Sequence, residues 1–174
     1  MSKQKPSFEE AMNATLLWCN AWEEGGLSDE VLSDRVAELV ESQEGARGFF
    51  AISLSNNCPL MDRLPDPLII QLRKAGTIVV DLTVKNLAMS SAMALNHKIN
   101  KNLKNQEGSE RITARCRELL RLLDPNLVKK QLEDLLAAVS GKSQTNYAEF
   151  LKRWEYNEDQ KLAITKSIYS VATN

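Results

Sequence analysis

The sequence has few of the residues that most often form catalytic and metal sites. Its 174 residues include one histidine and three cysteines. A ferritin-like di-iron site needs Glu-x-x-His pairs on facing helices, so the single His97 excludes that class. Cys19, Cys58 and Cys116 show no C-x-x-C spacing, and a zinc site would require them to meet His97 from separate elements. We therefore expect reduced thiols, no metal ion and no cofactor.

Motifs for phosphate binding and nucleophilic catalysis are also absent. The chain contains no G-x-x-x-x-G-K-[ST], G-x-G-x-x-G or G-x-S-x-G segment. Cys58, which precedes Pro59 in a loop, would need His97 as its base to act as a nucleophile, and no spacing supports that pair. The sequence assigns no catalytic residue, and we interpret the chain as non-enzymatic.

Neither sign of charge dominates the chain. The formal net charge is −1 and the pI is about 5.9. The most basic stretch, residues 98–121, contains no aromatic side chain on which bases could stack. The last predicted helix begins with Glu158 and Asp159, which would repel phosphate if that helix entered a DNA groove. Nucleic acid is therefore not an expected partner.

The apolar runs of the sequence do not predict a membrane span. The most hydrophobic run, residues 78–95, is interrupted by Asp81, Lys85 and Asn86. A spanning helix needs about 20 mainly apolar residues, and charged side chains at its centre are costly. The first residues, MSKQKPSFEE, lack the apolar segment of a signal peptide. We expect a cytoplasmic protein without membrane insertion.

What the sequence does contain is a series of helix signals. Ser7 and Glu10 form an S-x-x-E capping box, and Ser28 precedes two acidic residues at a second predicted helix start. Asp124 precedes a proline, which is typical of a first helical turn. We predict an all-α fold, a single domain over residues 1–174 that forms a bundle of about eight helices.

Residues 77–84, TIVVDLTV, allow two structures. Their β-branched content and alternation suit a strand, whereas Asp81 and Lys85 have the i,i+4 spacing of a helical pair. We interpret the segment as helix, because no second convincing strand exists to share its backbone hydrogen bonds. A strand here that paired with residues 47–54 would make the protein α+β instead.

Three other segments are interpreted from their composition. Residues 47–55 predict a short helix. Residues 56–67 include three prolines and predict an irregular connection, with a further short helix after Pro67. The polar residues 98–110 predict a linker, and the next helix is expected over residues 112–123.

The segment LAMSSAMALNH, residues 87–97, lies in the predicted central helix. On a helical wheel, Asn86, Ser90 and His97 share one narrow wedge with Thr83 between two apolar faces. We call Asn86, Ser90 and His97 the polar ladder. Its side chains form either a solvated strip or satisfied polar groups against neighbouring helices. The alternative is a cleft in which they bind a small polar ligand.

The same segment also has features of a contact surface. Ala88 and Ala92, with Ser91 between them, would let another helix approach closely. Met89 and Met93 would adapt to an irregular partner. A protein partner or a second copy of the chain, as in a homodimer, is the expected occupant of this surface.

Three segments of the sequence, RGFFAISLSNNCPL, VKNLAMSSAMALNH and YAEFLKRWEY, carry a resemblance. They look like conserved cyanobacterial proteins of similar length whose role is uncharacterised. The resemblance covers nearly the whole chain and implies a cytoplasmic or thylakoid-adjacent setting. It supplies no catalytic residues.

Taken together, these patterns predict a protein of unknown function that acts by interaction or regulation. The alternative is a small-molecule-binding protein, or an unrecognised enzyme, with a polar site around His97. A cavity lined by the polar ladder would favour the alternative, and a large apolar surface would favour interaction.

Overall fold

The computed structural model describes residues 4–142 and 145–172. In these two ranges the chain forms nine α-helices and one 3-10 turn, and no strand. The helices are α1 (Phe8–Glu23), α2 (Asp29–Leu39), α3 (Gln43–Ser53), α4 (Asp66–Ala75), α5 (Thr77–Ile99), α6 (Leu103–Leu122), α7 (Pro125–Val139), α8 (Ala148–Trp154) and α9 (Glu158–Ala172). The predicted all-α fold is confirmed.

Several helices begin at residues whose side chains bond to free backbone N–H groups. The Ser7 hydroxyl accepts a hydrogen bond from the backbone N–H of Glu10 at 3.1 Å, and the Glu10 carboxylate accepts one from the backbone N–H of Ser7 at 3.0 Å. This arrangement confirms the predicted capping box. Ser28 and Asp124 cap α2 and α7 with side-chain oxygens that accept hydrogen bonds from backbone N–H groups of the first turn, without the reciprocal bond of a capping box. A capping side chain of this kind contributes about 1 kcal/mol.

The ambiguous residues 77–84 are helical and continuous with the segment that follows them. Together they form the 23-residue helix α5, in which Val79, Val80 and Val84 are buried. The preference of β-branched residues for strands is weak, so burial in a core helix overrides it. The prediction of a helix at residues 77–84 is confirmed.

The predicted polar linker over residues 98–110 is wrong. Helix α5 runs to Ile99, and α6 already begins at Leu103. The side chain of Asn102 caps α6 by accepting a hydrogen bond from the backbone N–H of Asn105 at 3.2 Å. The first turns of α6 are mostly exposed, so they can be helical without an apolar face. The lack of apolar periodicity in residues 98–110 therefore did not indicate a linker.

The proline-containing connection is only partly irregular. Residues Pro59–Asp62 form the 3-10 turn, and α4 begins at Asp66, with Pro67 in its first turn. Proline is tolerated there because its missing N–H would have no partner inside the helix. The predicted short helix over residues 47–55 is found as part of α3, which begins earlier, at Gln43, and ends at Ser53.

The chain divides into two compact units, which we call the N-terminal unit and the C-terminal unit. The first ends at Leu82 and the second begins at Thr83, so the boundary falls within α5. Each unit is described by itself below. The single domain over residues 1–174 stays a prediction.

Helix α3 packs closely against α1 in the N-terminal unit, at Gly48. A Cβ atom added to Gly48 would lie 2.5 Å from the Cβ of Ala11 and 2.6 Å from the backbone oxygen of Phe8. The site therefore accepts only a hydrogen atom. The most completely buried apolar residues of this unit include Ala11, Leu32, Val36, Phe49, Phe50, Leu54, Leu60, Leu68 and Leu72.

In the C-terminal unit, α9 packs against α6 and α7, and α8 packs against α7. Tyr147, which is fully buried before α8, donates a hydrogen bond from its hydroxyl to Gln131 Oε1 on α7 at 2.7 Å. Burial of a leucine or phenylalanine side chain in such a core contributes about 1.5–3 kcal/mol. The buried apolar residues of this unit include Val84, Leu87, Cys116, Leu119, Leu120, Leu135, Ile164 and Ile168.

Among the described residues, α5 is the helix whose length and composition would allow it to cross a membrane. Over its most apolar 18 residues, 56% are buried inside the structure. The core helix of a water-soluble protein shows the same combination, so this property alone is weak support for a membrane span. The absence of membrane insertion stays a prediction.

Candidate functional site

The polar ladder does not form one site. Ser90 is buried, and its hydroxyl is 2.7 Å from the hydroxyl of Thr113 on α6 and 3.2 Å from the carbonyl oxygen of Leu87. Asn86 and His97 are half-buried. Because a helix rises about 1.5 Å per residue, Asn86 and His97 are about 16 Å apart along its axis. The structure does not bring the three side chains together, and their role in ligand binding stays a prediction.

The four residues predicted as a contact surface also differ in exposure. Ala88 and Ala92 are fully buried, Met89 is half-buried and Met93 is 41% exposed. Of these four residues, Met93 is the most exposed and Met89 is partly accessible, whereas the two alanines are not. The neighbouring Ser91 is buried and donates a hydrogen bond to Ser167 on α9 at 2.6 Å, within the C-terminal unit. The interface role of these residues stays a prediction.

The cysteines occupy buried positions. Cys19 and Cys58 are 1% and 3% exposed, and the Cys58 thiol donates to the backbone oxygen of Cys19 at 3.6 Å. Burial raises the pKa of the Cys116 thiol well above its ordinary value. A nucleophilic cysteine needs the thiolate form and access to its substrate, and Cys116 has neither. No group of three or more metal-binding side chains occurs among the described residues.

One cavity of the N-terminal unit combines charges of both signs. It has a volume of about 650 Å³, and its lining includes the acids Glu10, Glu38 and Glu41 and the bases Lys5 and Arg35. The Glu10 carboxylate is bonded to the backbone of Ser7, and this contact lowers the pKa of Glu10. With its charges mixed in this way, the cavity favours no single class of ligand.

The largest mainly apolar cavity among those we describe is a groove in the C-terminal unit. It has a volume of about 670 Å³ and is formed by the end of α6, one side of α7 and the end of α9. We call it the apolar groove. Its lining residues are Leu120, Arg121, Leu123, Pro125, Val128, Lys129, Leu132, Glu133, Leu136, Ile168, Tyr169, Val171 and Ala172.

The apolar groove has a closed floor and an open edge. Val128 and Leu132 are 6% and 8% exposed, whereas Tyr169 is 58% exposed. The side chains of Lys129 and Glu133 are exposed and lie one turn apart on α7. An apolar floor with a few polar groups at its edge is typical of sites that bind an apolar ligand or a helix.

Arg121 fixes one end of this groove. Its guanidinium donates hydrogen bonds to the backbone oxygens of Ser170 at 2.6 Å and Val171 at 3.1 Å, in the last turn of α9. It also forms a 3.0 Å salt bridge with Glu118. A cation at a helix C-terminus stabilises the carbonyl groups that have no partner in the helix. The end of α9 is therefore held in place beside the groove.

The described residues form an all-α helical protein with a mainly apolar groove in its C-terminal unit. A protein-family model, described as "Uncharacterised conserved protein UCP020893", matches residues 7–171. The chain therefore belongs to this uncharacterised conserved protein family. No curated protein and no solved structure matches the chain. The resemblance to an uncharacterised family is confirmed, and its cyanobacterial origin stays a prediction.

The apolar groove was missed by the sequence analysis. Val128, Leu132 and Leu136 recur at i, i+4 and i+8, which is the spacing of an ordinary core-facing helix. The pattern cannot show that part of this face lacks a covering element. The exposure of Tyr169, which only the structure shows, marks the groove, since aromatic side chains are enriched at contact surfaces.

Proposed function

We propose that this protein is a non-enzymatic interaction protein whose C-terminal unit binds a short amphipathic helix of a partner protein in the apolar groove. The observation that carries the proposal is the groove itself, with its buried apolar floor and the exposed ring of Tyr169. Helix-in-groove recognition uses such a surface, because the apolar face of the bound helix then leaves water.

The dimensions of the groove favour a helix as its occupant. Its lining on α7 extends from Pro125 to Leu136, which corresponds to about 16 Å of helix length. A bound helix of about eleven residues, or three turns, matches this length. Such a helix places apolar residues on one face at i, i+4 and i+7.

The charges at the edge of the groove select the orientation of the partner. Lys129 and Glu133 lie one turn apart, whereas the neighbouring Lys130 is already paired with Asp134 at 3.0 Å. A partner helix with an acidic residue facing Lys129 and a basic residue facing Glu133 is complementary to this edge. Such rim charges affect specificity and association rate more than affinity.

A second copy of the chain is a less suitable occupant of the groove. A stable dimer usually buries about 1,600 Å² in total, with a surface of about 800 Å² from each partner. A groove three helical turns long is too small to supply that surface by itself. A single helical segment fits the groove without further contacts.

The proposal can be tested by site-specific photo-crosslinking in the native cell. A photoreactive amino acid replaces Tyr169, and the control carries it at Leu17, which is 68% exposed on α1. The groove position should crosslink to a helical segment of a protein that the control position does not capture. A synthetic peptide of that segment should bind the purified protein, and Tyr169→Glu should weaken it about tenfold. The same crosslinks from both positions, or unchanged peptide binding, would contradict the proposal.

A small apolar molecule is the second candidate occupant of this groove. The volume of about 670 Å³ favours it, because pockets for small molecules usually measure about 300–1,000 Å³. An apolar compound that raises the melting temperature of the wild type but not of Tyr169→Glu would support this candidate. Capture of a helical protein segment at Tyr169 would support the first.

We also propose that the protein works in the cytoplasm without membrane insertion or nucleic acid. The burial of more than half of the apolar window of α5 supports this setting, since a buried face is not available to lipid. Cell fractionation followed by alkaline carbonate extraction tests it. Retention of the protein in the extracted membrane pellet would contradict it.

A further inference from the structure

A second cavity of the C-terminal unit is lined by three lysines from three different elements. It has a volume of about 530 Å³. Lys142 follows α7, Lys152 lies on α8 and Lys161 lies on α9. Among the described residues, Lys142 and Lys152 take part in no salt bridge, and Lys161 lies 3.5 Å from the highly exposed Glu158. We call this the lysine cavity.

A phenol group adds a fourth hydrogen-bond donor to the lysine cavity. Tyr156 is half-buried at its wall, and this burial raises the pKa of Tyr156 to about 12. Like any phenol it is protonated at neutral pH, so its O–H can donate a hydrogen bond to a bound anion. Ala148 and Leu151 provide an apolar part of the wall beside these donors.

Two carboxylates limit the charge that the cavity can accept. Glu149 and Glu155 also belong to its lining. Together with the three lysines they make five charged side chains, whose net charge is +1. A polyanion such as DNA would meet these acids as well as the lysines. A small ligand with one anionic group and an apolar body can reach the lysines and the phenol while it avoids the carboxylates.

We propose that the lysine cavity binds the phosphate group of a small phosphorylated molecule. A phosphate monoester has three strong acceptor oxygens, which can engage donors from the three elements that line this cavity better than the two oxygens of a carboxylate can. Lysine binds phosphate as a point charge, and its flexible stem lets several lysines meet one group. This site is separate from the apolar groove and does not depend on the function proposed for that groove.

The test is isothermal titration calorimetry of the whole chain with phenyl phosphate, inorganic phosphate and benzoate. Phenyl phosphate should bind at least about tenfold more tightly than benzoate, which has the same ring but only two anionic oxygens. Lys152→Gln should weaken phenyl phosphate about tenfold, and Tyr156→Phe should weaken it severalfold. The matched control is Lys166→Gln, an exposed lysine of α9 outside this lining, which should leave the affinity unchanged.

Each result decides the proposal. Inorganic phosphate that binds as tightly as phenyl phosphate would show that the free ion suffices and would overturn the assignment to a phosphorylated molecule, whereas weaker binding of the free ion supports that assignment. Phenyl phosphate that shows no binding at about 10 mM, or that binds no better than benzoate, overturns the proposal. Equal affinities of Lys152→Gln and Lys166→Gln, with both variants folded by circular dichroism, overturn it as well.

Discussion

The hydroxyl groups of Ser90 on α5 and Thr113 on α6 are 2.7 Å apart in a buried position, so that one donates a hydrogen bond to the other. The Ser90 hydroxyl also lies 3.2 Å from the carbonyl oxygen of Leu87, and the Thr113 hydroxyl lies 3.1 Å from that of Ser109. Each hydroxyl proton can therefore bond either to the other hydroxyl, across the two helices, or to a carbonyl oxygen of its own helix. The pair joins α5 and α6 within the C-terminal unit.

Removal of either hydroxyl should destabilise the C-terminal unit through this pair. Ser90→Ala and Thr113→Val should each lower the free energy of unfolding by about 1 kcal/mol, because a buried hydrogen bond is lost. In a double-mutant cycle, the two changes should be coupled by about 0.5–1 kcal/mol. Urea denaturation measures these values.

The control for this pair is His97→Ala. His97 is half-buried in the last turn of α5, and its replacement should cost less than about 0.5 kcal/mol. Strictly additive effects of Ser90→Ala and Thr113→Val would show that the bond adds nothing to stability. A large loss of stability in His97→Ala would show instead that the C-terminal end of the polar ladder contributes to folding.

Two glycines should respond to alanine in opposite directions. Gly48→Ala should destabilise the protein by about 1–3 kcal/mol, because its Cβ would lie against Ala11 and the backbone of α1. Gly108, inside α6, has no atom within 4 Å of an added Cβ. Gly108→Ala should therefore stabilise the protein by about 0.4–1 kcal/mol through helix propensity and a less flexible unfolded chain. Thermal unfolding of both variants checks the signs, and a stabilising Gly48→Ala would contradict the α1–α3 packing.

Arg121→Met should loosen the end of α9. The change removes the hydrogen bonds to Ser170 and Val171 but keeps much of the apolar stem, so we expect a loss of about 1–2 kcal/mol. Lys130→Met is the control, since Lys130 makes an exposed i,i+4 pair with Asp134 that is worth about 0.3–0.5 kcal/mol. Amide hydrogen exchange in the last turn of α9 should become faster only in Arg121→Met.

Alkaline pH should reveal the half-buried phenol of Tyr156. Its pKa is raised from 10.0 to about 12 in the folded protein by desolvation. Below about pH 10 the phenol is neutral in both states, so its contribution to stability is complete. Between about pH 10 and 12 the unfolded chain ionises first, and the free energy of unfolding falls. The difference in phenolate absorbance at about 295 nm between the wild type and Tyr156→Phe, which isolates this one ring, should appear mainly between about pH 11 and 12.

Much of the helical structure could be predicted from the sequence, because the interactions that start a helix are local. Ser7 and Glu10 are three residues apart, and their reciprocal hydrogen bonds follow from that spacing alone. The helix at residues 77–84 followed from the lack of a strand partner. Where local apolar periodicity was absent, at the exposed start of α6, the prediction failed.

The candidate sites could not be predicted in the same way, because they depend on contacts between distant residues. Thr113 is 23 positions from Ser90, and nothing in the spacing shows that their hydroxyls meet. Likewise, Lys142, Lys152 and Lys161 are unremarkable in the sequence until the ends of three elements bring them to one cavity. The apolar residues of the groove look like ordinary core positions for the same reason.

The burial of the three cysteines provides reporters of local opening that require no added label. Cys19 and Cys58 belong to the N-terminal unit and Cys116 to the C-terminal unit. A thiol reagent reaches each sulfur only when the helices around it open, so its rate of modification measures the free energy of that opening. Equal values in the two units would mean that the chain opens as one cooperative domain. Different values would mean that each unit unfolds on its own, and the rates of thiol modification would then show which unit is the more stable.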